Sequence, residues 1–174
     1  MRKPLTEKEL LYINPDKLYN IKPYVLNIKL WKKFSKVTKN VLKKYPPKKY
    51  AFDADIQKYL SKTSKGIYIF TVEPDFQIIP TIIHLLYVGK VEASNTFHQR
   101  FYDYVGSIGK KNNRRNIQVL TNLWPKKTWV YVYELPLTDP EIVAIEDSLI
   151  DTIVPPLNNK FKVKAAKDSR SIYN

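Results

Sequence analysis

The sequence predicts an α+β domain: a small three-stranded antiparallel sheet flanked by helices, with a basic helical N-terminal extension. Three observations carry this. Apolar residues follow helical spacing before residue 62 and β-branched, aromatic runs after it. The runs come in the order β-β-α-(α)-β-α. With 174 residues, 44% apolar and 13% aromatic, the chain is ample for one core and too apolar for disorder.

Taken in order, residues 1–27 read as irregular, punctuated by Pro4, Pro15 and Pro23. From Ile28 to Lys44 a single helix is expected, with Leu30, Phe34, Val37 and Val41 on one face and lysines around the rest. Pro46-Pro47 stops it. A short helix from Asp53 to Ser61 follows. Residues 66–72 and 82–88 read as strands of an antiparallel hairpin whose long loop lies between Pro74 and Pro80. A helix over 96–108 is capped by Ser94 or Asn95 and stopped by Gly109. A basic loop, 110–115, leads to a helical stretch ending near Trp124. Trp129–Tyr133 is the third strand. Asp139-Pro140-Glu141 opens a helix to Ile153, with Asp139 as the capping carboxylate. This divides the chain into a basic region (1–62), an α+β domain (63–161) and a basic tail (162–174).

Composition narrows the chemistry. The absence of cysteine excludes disulfides, cysteine-ligated zinc, iron–sulfur sites and thiol nucleophiles, and two histidines make an imidazole-rich zinc centre unpromising. No apolar run approaches the roughly 20 residues of a membrane span. The start of the chain lacks a signal-peptide core. A soluble, intracellular, cytoplasmic protein without a membrane partner is expected. The net charge is +14, with an isoelectric point near 9.7. Residues 1–62 hold 16 basic and 5 acidic groups, so most of the excess lies there. Such a field attracts polyanions, nucleic acid foremost. Lys29, Lys32, Lys33, Lys36, Lys39, Lys43 and Lys44, with Lys110, Lys111, Arg114 and Arg115, are the candidate phosphate contacts; a solvated, solubilising surface is the alternative.

Glu146 is the most informative single residue. Its neighbours three and four positions away are Ile142, Val143, Leu149 and Ile150, so its carboxylate leaves the face that packs on the sheet. A buried carboxylate demands a partner: a cation, a metal or a proton. A structural ion pair competes with metal or catalytic use. Arg100 and Tyr104 share a helix face at i and i+4. Tyr68 and Tyr87 lie in strands, where ordinary sheet packing is the alternative reading. Gly66 and Gly89, two of only four glycines, bracket them and permit close approach.

Gly66-Ile67-Tyr68, Tyr87-Val88-Gly89-Lys90, Arg100 and the block Glu146-x-x-Leu149-Ile150…Pro155-x-x-Asn158 together resemble the GIY-YIG nuclease family in order and spacing, over about residues 64–161. The gap from Tyr68 to Tyr87 is longer than usual for the family and looks more like its restriction-type members. Tyr104 stands where several members have histidine. The resemblance implies a metal-dependent DNA endonuclease of restriction, phage or mobile-element type, using Mg2+ (or Mn2+) on Glu146. Tyr68 would be the general base, acidified by the cationic centre, with Tyr87 as its alternative or partner. Arg100 would contact the scissile phosphate, with Lys90 adding charge beside it. Tyr104 would position water or phosphate, and Asn158 would orient the phosphate or brace a strand tyrosine. Duplex DNA is the expected partner, and a homodimer would suit a palindromic site. A non-cleaving nucleic-acid-binding protein that keeps the fold, or a nuclease acting on RNA or repair structures, is the alternative.

Overall fold

A computed structural model describes residues 27–74, 83–106, 115–124 and 126–171. The expected irregular N-terminus, most of the hairpin loop, Gly109 and residues Lys110, Lys111 and Arg114 lie outside these.

The N-terminal helical run is not continuous. Helix α1 spans Ile28–Lys32 and α2 spans Lys36–Lys44. Ser35 separates them because its hydroxyl accepts the Thr38 N–H, a serine N-cap that starts a new helix. Leu30 is buried with Val154 and Ala166, whereas Val37, expected on the same face, is 72% exposed. The inward face of α2 is Thr38, Val41 and Leu42, so Val41 keeps its expected side, as does Phe34 before the helix, and Val37 alone turns outward.

Among the described residues the sheet has four antiparallel strands, not three: β1 (Lys48–Ala51), β2 (Gly66–Val72), β3 (His84–Val91) and β4 (Thr128–Glu134), in the order β1-β4-β2-β3. The additional strand β1, Lys48–Ala51, pairs with β4, Thr128–Glu134. It is short, mostly exposed, lysine-bearing and preceded by Pro46-Pro47, the usual means of blunting an edge strand. Those features also hide it from a search for apolar alternation. Its lysines are paired at the surface: Lys48 with Glu134 at 3.1 Å and Lys49 with Glu73 at 2.5 Å, with the Lys49 ammonium 4.3 Å from the Trp129 ring centre. A single 3-10 turn, Ile56–Tyr59, replaces the expected helix over 53–61.

Strands β2, Gly66–Val72, and β3, His84–Val91, form the antiparallel hairpin. Pairing runs Tyr68↔Gly89 and Phe70↔Tyr87, then Thr71↔Leu85, so Leu86 is an extra residue at a bulge. One sheet face carries Tyr68, Phe70, Val130 and Val132, packed against Ile56, helix α3 (Phe97–Val105) and helix α4 (Arg115–Leu123). The other carries Ile67, Ile69 and Val88 against helix α5, Asp139–Ile153. Residues 48–60 therefore share one core with the following segment.

Local caps differ from expectation by a residue or two. Thr96 caps α3, accepting the Gln99 N–H, and the helix ends before Gly106. Thr138 precedes α5, and its N–H and hydroxyl both donate to Glu141. Asp139 is thereby freed to accept from Lys65 Nζ at 2.8 Å and from the Ala93 N–H, joining the start of β2, the end of β3 and α5. The expected C-terminal tail holds a helix, α6, Lys164–Ser171. Its Arg170, 5% exposed, donates to the carbonyls of Val154 and Pro155. It thus ties down the chain leaving α5.

Gly66 has φ +145°, and a Cβ there would strike the Tyr133 carbonyl oxygen. Strained backbone and overpacking add at this position, so Gly66→Ala is expected to cost ~3 kcal/mol or more. Urea unfolding followed by circular dichroism measures it; an unchanged midpoint would contradict this account of the β2 start.

Candidate functional site

Strand alternation divides the sequence-predicted site residues between two sheet faces. On the α3 face, Tyr68 is 2% exposed and its hydroxyl is 2.5 Å from that of Tyr104. Phe70, Phe101 and Tyr104 meet its ring mostly edge to face, and Tyr87 lies at a centroid distance of 6.2 Å. Such packing favours the neutral phenol. Burial is the largest effect and pushes the Tyr68 pKa well above 10; Tyr104 and Tyr87 push the same way, and Arg100 pulls down only in part. Without a bound cation the protein's own groups therefore hold Tyr68 neutral, because desolvation outweighs one guanidinium.

Gly89 makes this arrangement possible. It lies directly opposite Tyr68 in the ladder, and a Cβ there would collide with the Tyr68 ring and hydroxyl. On α3, the Arg100 Nε is buried and has no hydrogen-bond partner among the described residues, as is also true of Gln57 Oε1 and Ser64 Oγ. A buried guanidinium N–H without an acceptor is costly. An anion brought to this place would satisfy it.

On the α5 face stand Lys90 and Glu146. The Glu146 side chain is 15% exposed and its Oε2 lies 3.3 Å from Lys90 Nζ. Burial raises the Glu146 pKa, with Lys90 opposing. So the partner this carboxylate requires is the lysine that follows Gly89, in a structural ion pair. Lys90 also lies 3.4 Å from Glu92. Glu92 escaped the sequence reading, although its place two residues beyond Lys90 was a usable signal.

The site residues that the resemblance implies are thus presented from two faces. They are divided by β3 at Gly89-Lys90, consecutive residues whose side-chain directions are opposed. Among the described residues β3 is also the last strand of the sheet. Its outer edge is covered at Leu86 by the Leu157 N–H and at Val88 by Asn158. The Asn158 amide accepts the Val88 N–H at 2.9 Å and donates to the Val88 carbonyl at 2.8 Å. Both amide atoms are thereby committed to bracing the strand between Tyr87 and Gly89.

Oxygen ligands suit a hard divalent ion, and Glu146, withdrawn from water and already holding a cation, is a fitting donor. Among the described residues no group of three or more acidic, histidine or cysteine side chains gathers, so an ion here would keep most of its water. Lys29, Lys32, Lys33, Lys36, Lys39, Lys43 and Lys44 are all exposed along α1 and α2, beside the exposed Trp31. The side chain of Arg115 lies outside the described residues. No described helix is long and apolar enough to cross a membrane.

No protein family, curated protein or solved structure matches this chain.

The raised Tyr68 pKa has a consequence for stability. The neutral phenol is favoured in the fold, so its contribution is full below the unfolded pKa of about 10 and is lost as pH rises toward the folded value. The melting temperature should therefore fall more steeply above about pH 10 in the parent protein than in Tyr68→Phe. Thermal melts across the alkaline range compare them; parallel curves would contradict the burial argument.

Proposed function

We propose that this protein is a metal-dependent nuclease of GIY-YIG type acting on duplex DNA. The observation that carries the reading is Arg100, a guanidinium with a buried, unpartnered donor on the helix that also carries Tyr104, one of two coupled tyrosine hydroxyls. The withdrawn Glu146 carboxylate, held by the strand residue next to Gly89, and a net charge of +14 add to it.

In this reading Arg100 binds and orients the phosphate and stabilises its developing charge. Glu146 holds a Mg2+ or Mn2+ ion, which when bound supplies Lewis acidity to the phosphate and leaving oxygen. Tyr68 and Tyr104 share a hydrogen-bonded pair of hydroxyls that would position the attacking water; only after a bound cation had drawn off the phenol's own proton would the Tyr68 phenolate accept one from that water, with Tyr87 alongside. Asn158 keeps the Tyr87–Gly89 stretch in register rather than touching the phosphate. The lysines of α1 and α2 follow the duplex backbone by charge.

A second reading, a nucleic-acid-binding protein that does not cleave, draws on the Lys90–Glu146 ion pair and the high Tyr68 pKa. A plasmid-nicking assay with Mg2+ separates the two, with duplex RNA and single strands run in parallel. Under the main reading the parent nicks, and Arg100→Ala and Glu146→Ala each lose on the order of 10²–10³ in rate while still binding. Full activity of Glu146→Ala, or none in the parent, sinks it.

Affinity has its own test. Replacing Lys32, Lys36, Lys39 and Lys43 with glutamine should lower the log–log salt slope of DNA binding by about 0.9 for each phosphate that is no longer neutralised. An unchanged slope would leave these lysines as a solubilising surface.

A further inference from the structure

We propose that Lys90 is the place-holder of the cation site: in the ion-free protein its ammonium occupies the position on Glu146 that a divalent ion takes, and the ion enters only as Lys90 withdraws onto Glu92. This rests on reading Glu146 as the metal carboxylate.

The geometry is that of a shared cation. Lys90 Nζ stands 3.3 Å from Glu146 Oε2 and 3.4 Å from Glu92 Oε1. Both separations exceed the roughly 2.7–2.9 Å of a tight charge-assisted hydrogen bond. The ammonium thus spans two carboxylates and is locked to neither. Their surroundings differ in a useful way, for the Glu146 side chain is 15% exposed and that of Glu92 is 40% exposed. Leaving Glu146 without a cation strands a largely buried charge, which is expensive; leaving Glu92 to water costs little. When an ion arrives, Glu146 exchanges one cation for another and the ammonium keeps Glu92 as its partner. Asp139, itself held by Lys65, also lies within electrostatic reach of Lys90. At no stage is a buried charge left bare, while ammonium and divalent ion cannot occupy one oxygen together. The device would keep the Glu146 pocket organised before metal arrives, and would weaken metal affinity by the fraction of time Lys90 occupies it.

Mn2+ binding to the full chain, followed by the paramagnetic resonance signal of free Mn2+ without nucleic acid, tests this apart from cleavage. Lys90→Met removes the competitor, and if the site is open about a tenth of the time in the parent, it should bind Mn2+ about ten-fold tighter. Lys90→Gln should move the same way, which guards against misfolding of either variant. Glu92→Gln takes away the alternative partner and should weaken binding about three-fold. Lys48→Met, which removes an equal charge from the Glu134 pair at the β1 edge of the sheet, should change it less than about two-fold. Glu146→Gln should abolish binding. If both Lys90 variants bind no tighter than the parent, or Lys48→Met tightens binding as much, the place-holder is refuted while the metal reading survives through Glu146→Gln. If Glu146→Gln binds as the parent does, or the parent binds no Mn2+, the metal reading fails and the place-holder with it.

Discussion

The ladder register that sets Tyr68 against Gly89 is the constraint on which the rest depends. Tyr68 is a large, nearly dry side chain, and it fits only because the residue opposite has no Cβ. Alternation then sends the next residue, Lys90, to the other face, where it meets Glu146. A slip of one position would exchange the two faces and dismantle both groups together. The strand is held in this register from inside by β2 and from outside by Asn158, whose amide takes both polar atoms of Val88. Tyrosine, glycine, lysine and asparagine thus act as one mechanical unit.

That unit is supported from a distance. Asn158 reaches Val88 because the chain leaving α5 turns at Val154, with φ +51°, and runs along the sheet edge. Arg170 fixes that turn through two carbonyls, and Asp151 accepts the N–H groups of Lys162 and Val163 just beyond it. The C-terminal helix therefore secures the strand that separates the two groups of side chains. At the other end of α5, the Lys65–Asp139–Ala93 hydrogen bonds tie helix, β2 and the loop after β3 together, which sets the height of Glu146 on its strand neighbours.

The electrostatics of the two faces run in the same direction, and each follows from burial. The Tyr68 phenol is held neutral by dry aromatic surroundings, and a nearby guanidinium does not overcome that. The Glu146 carboxylate is also pushed toward its neutral form, with the ammonium of Lys90 opposing. Acidification of a buried phenol asks for more positive charge than Arg100 alone provides. Resemblance identifies residue types and spacing; it does not carry the dielectric around them.

Much of this protein is legible from its residues. The α+β class, the hairpin, the start and end of the long helix and the withdrawn position of Glu146 follow from periodicity, because apolar side chains repeat at the spacing their element imposes. β1 and the break at Ser35 escape that logic: a four-residue polar edge strand has no apolar period, and a serine cap inside a helical pattern overrides it locally. The partner of Glu146, the neutral state of Tyr68 and the Arg100 Nε that meets no acceptor among the described residues are decided only in three dimensions. Each depends on which groups from distant segments share a dry space, and strand order, register and the path after α5 set that proximity together.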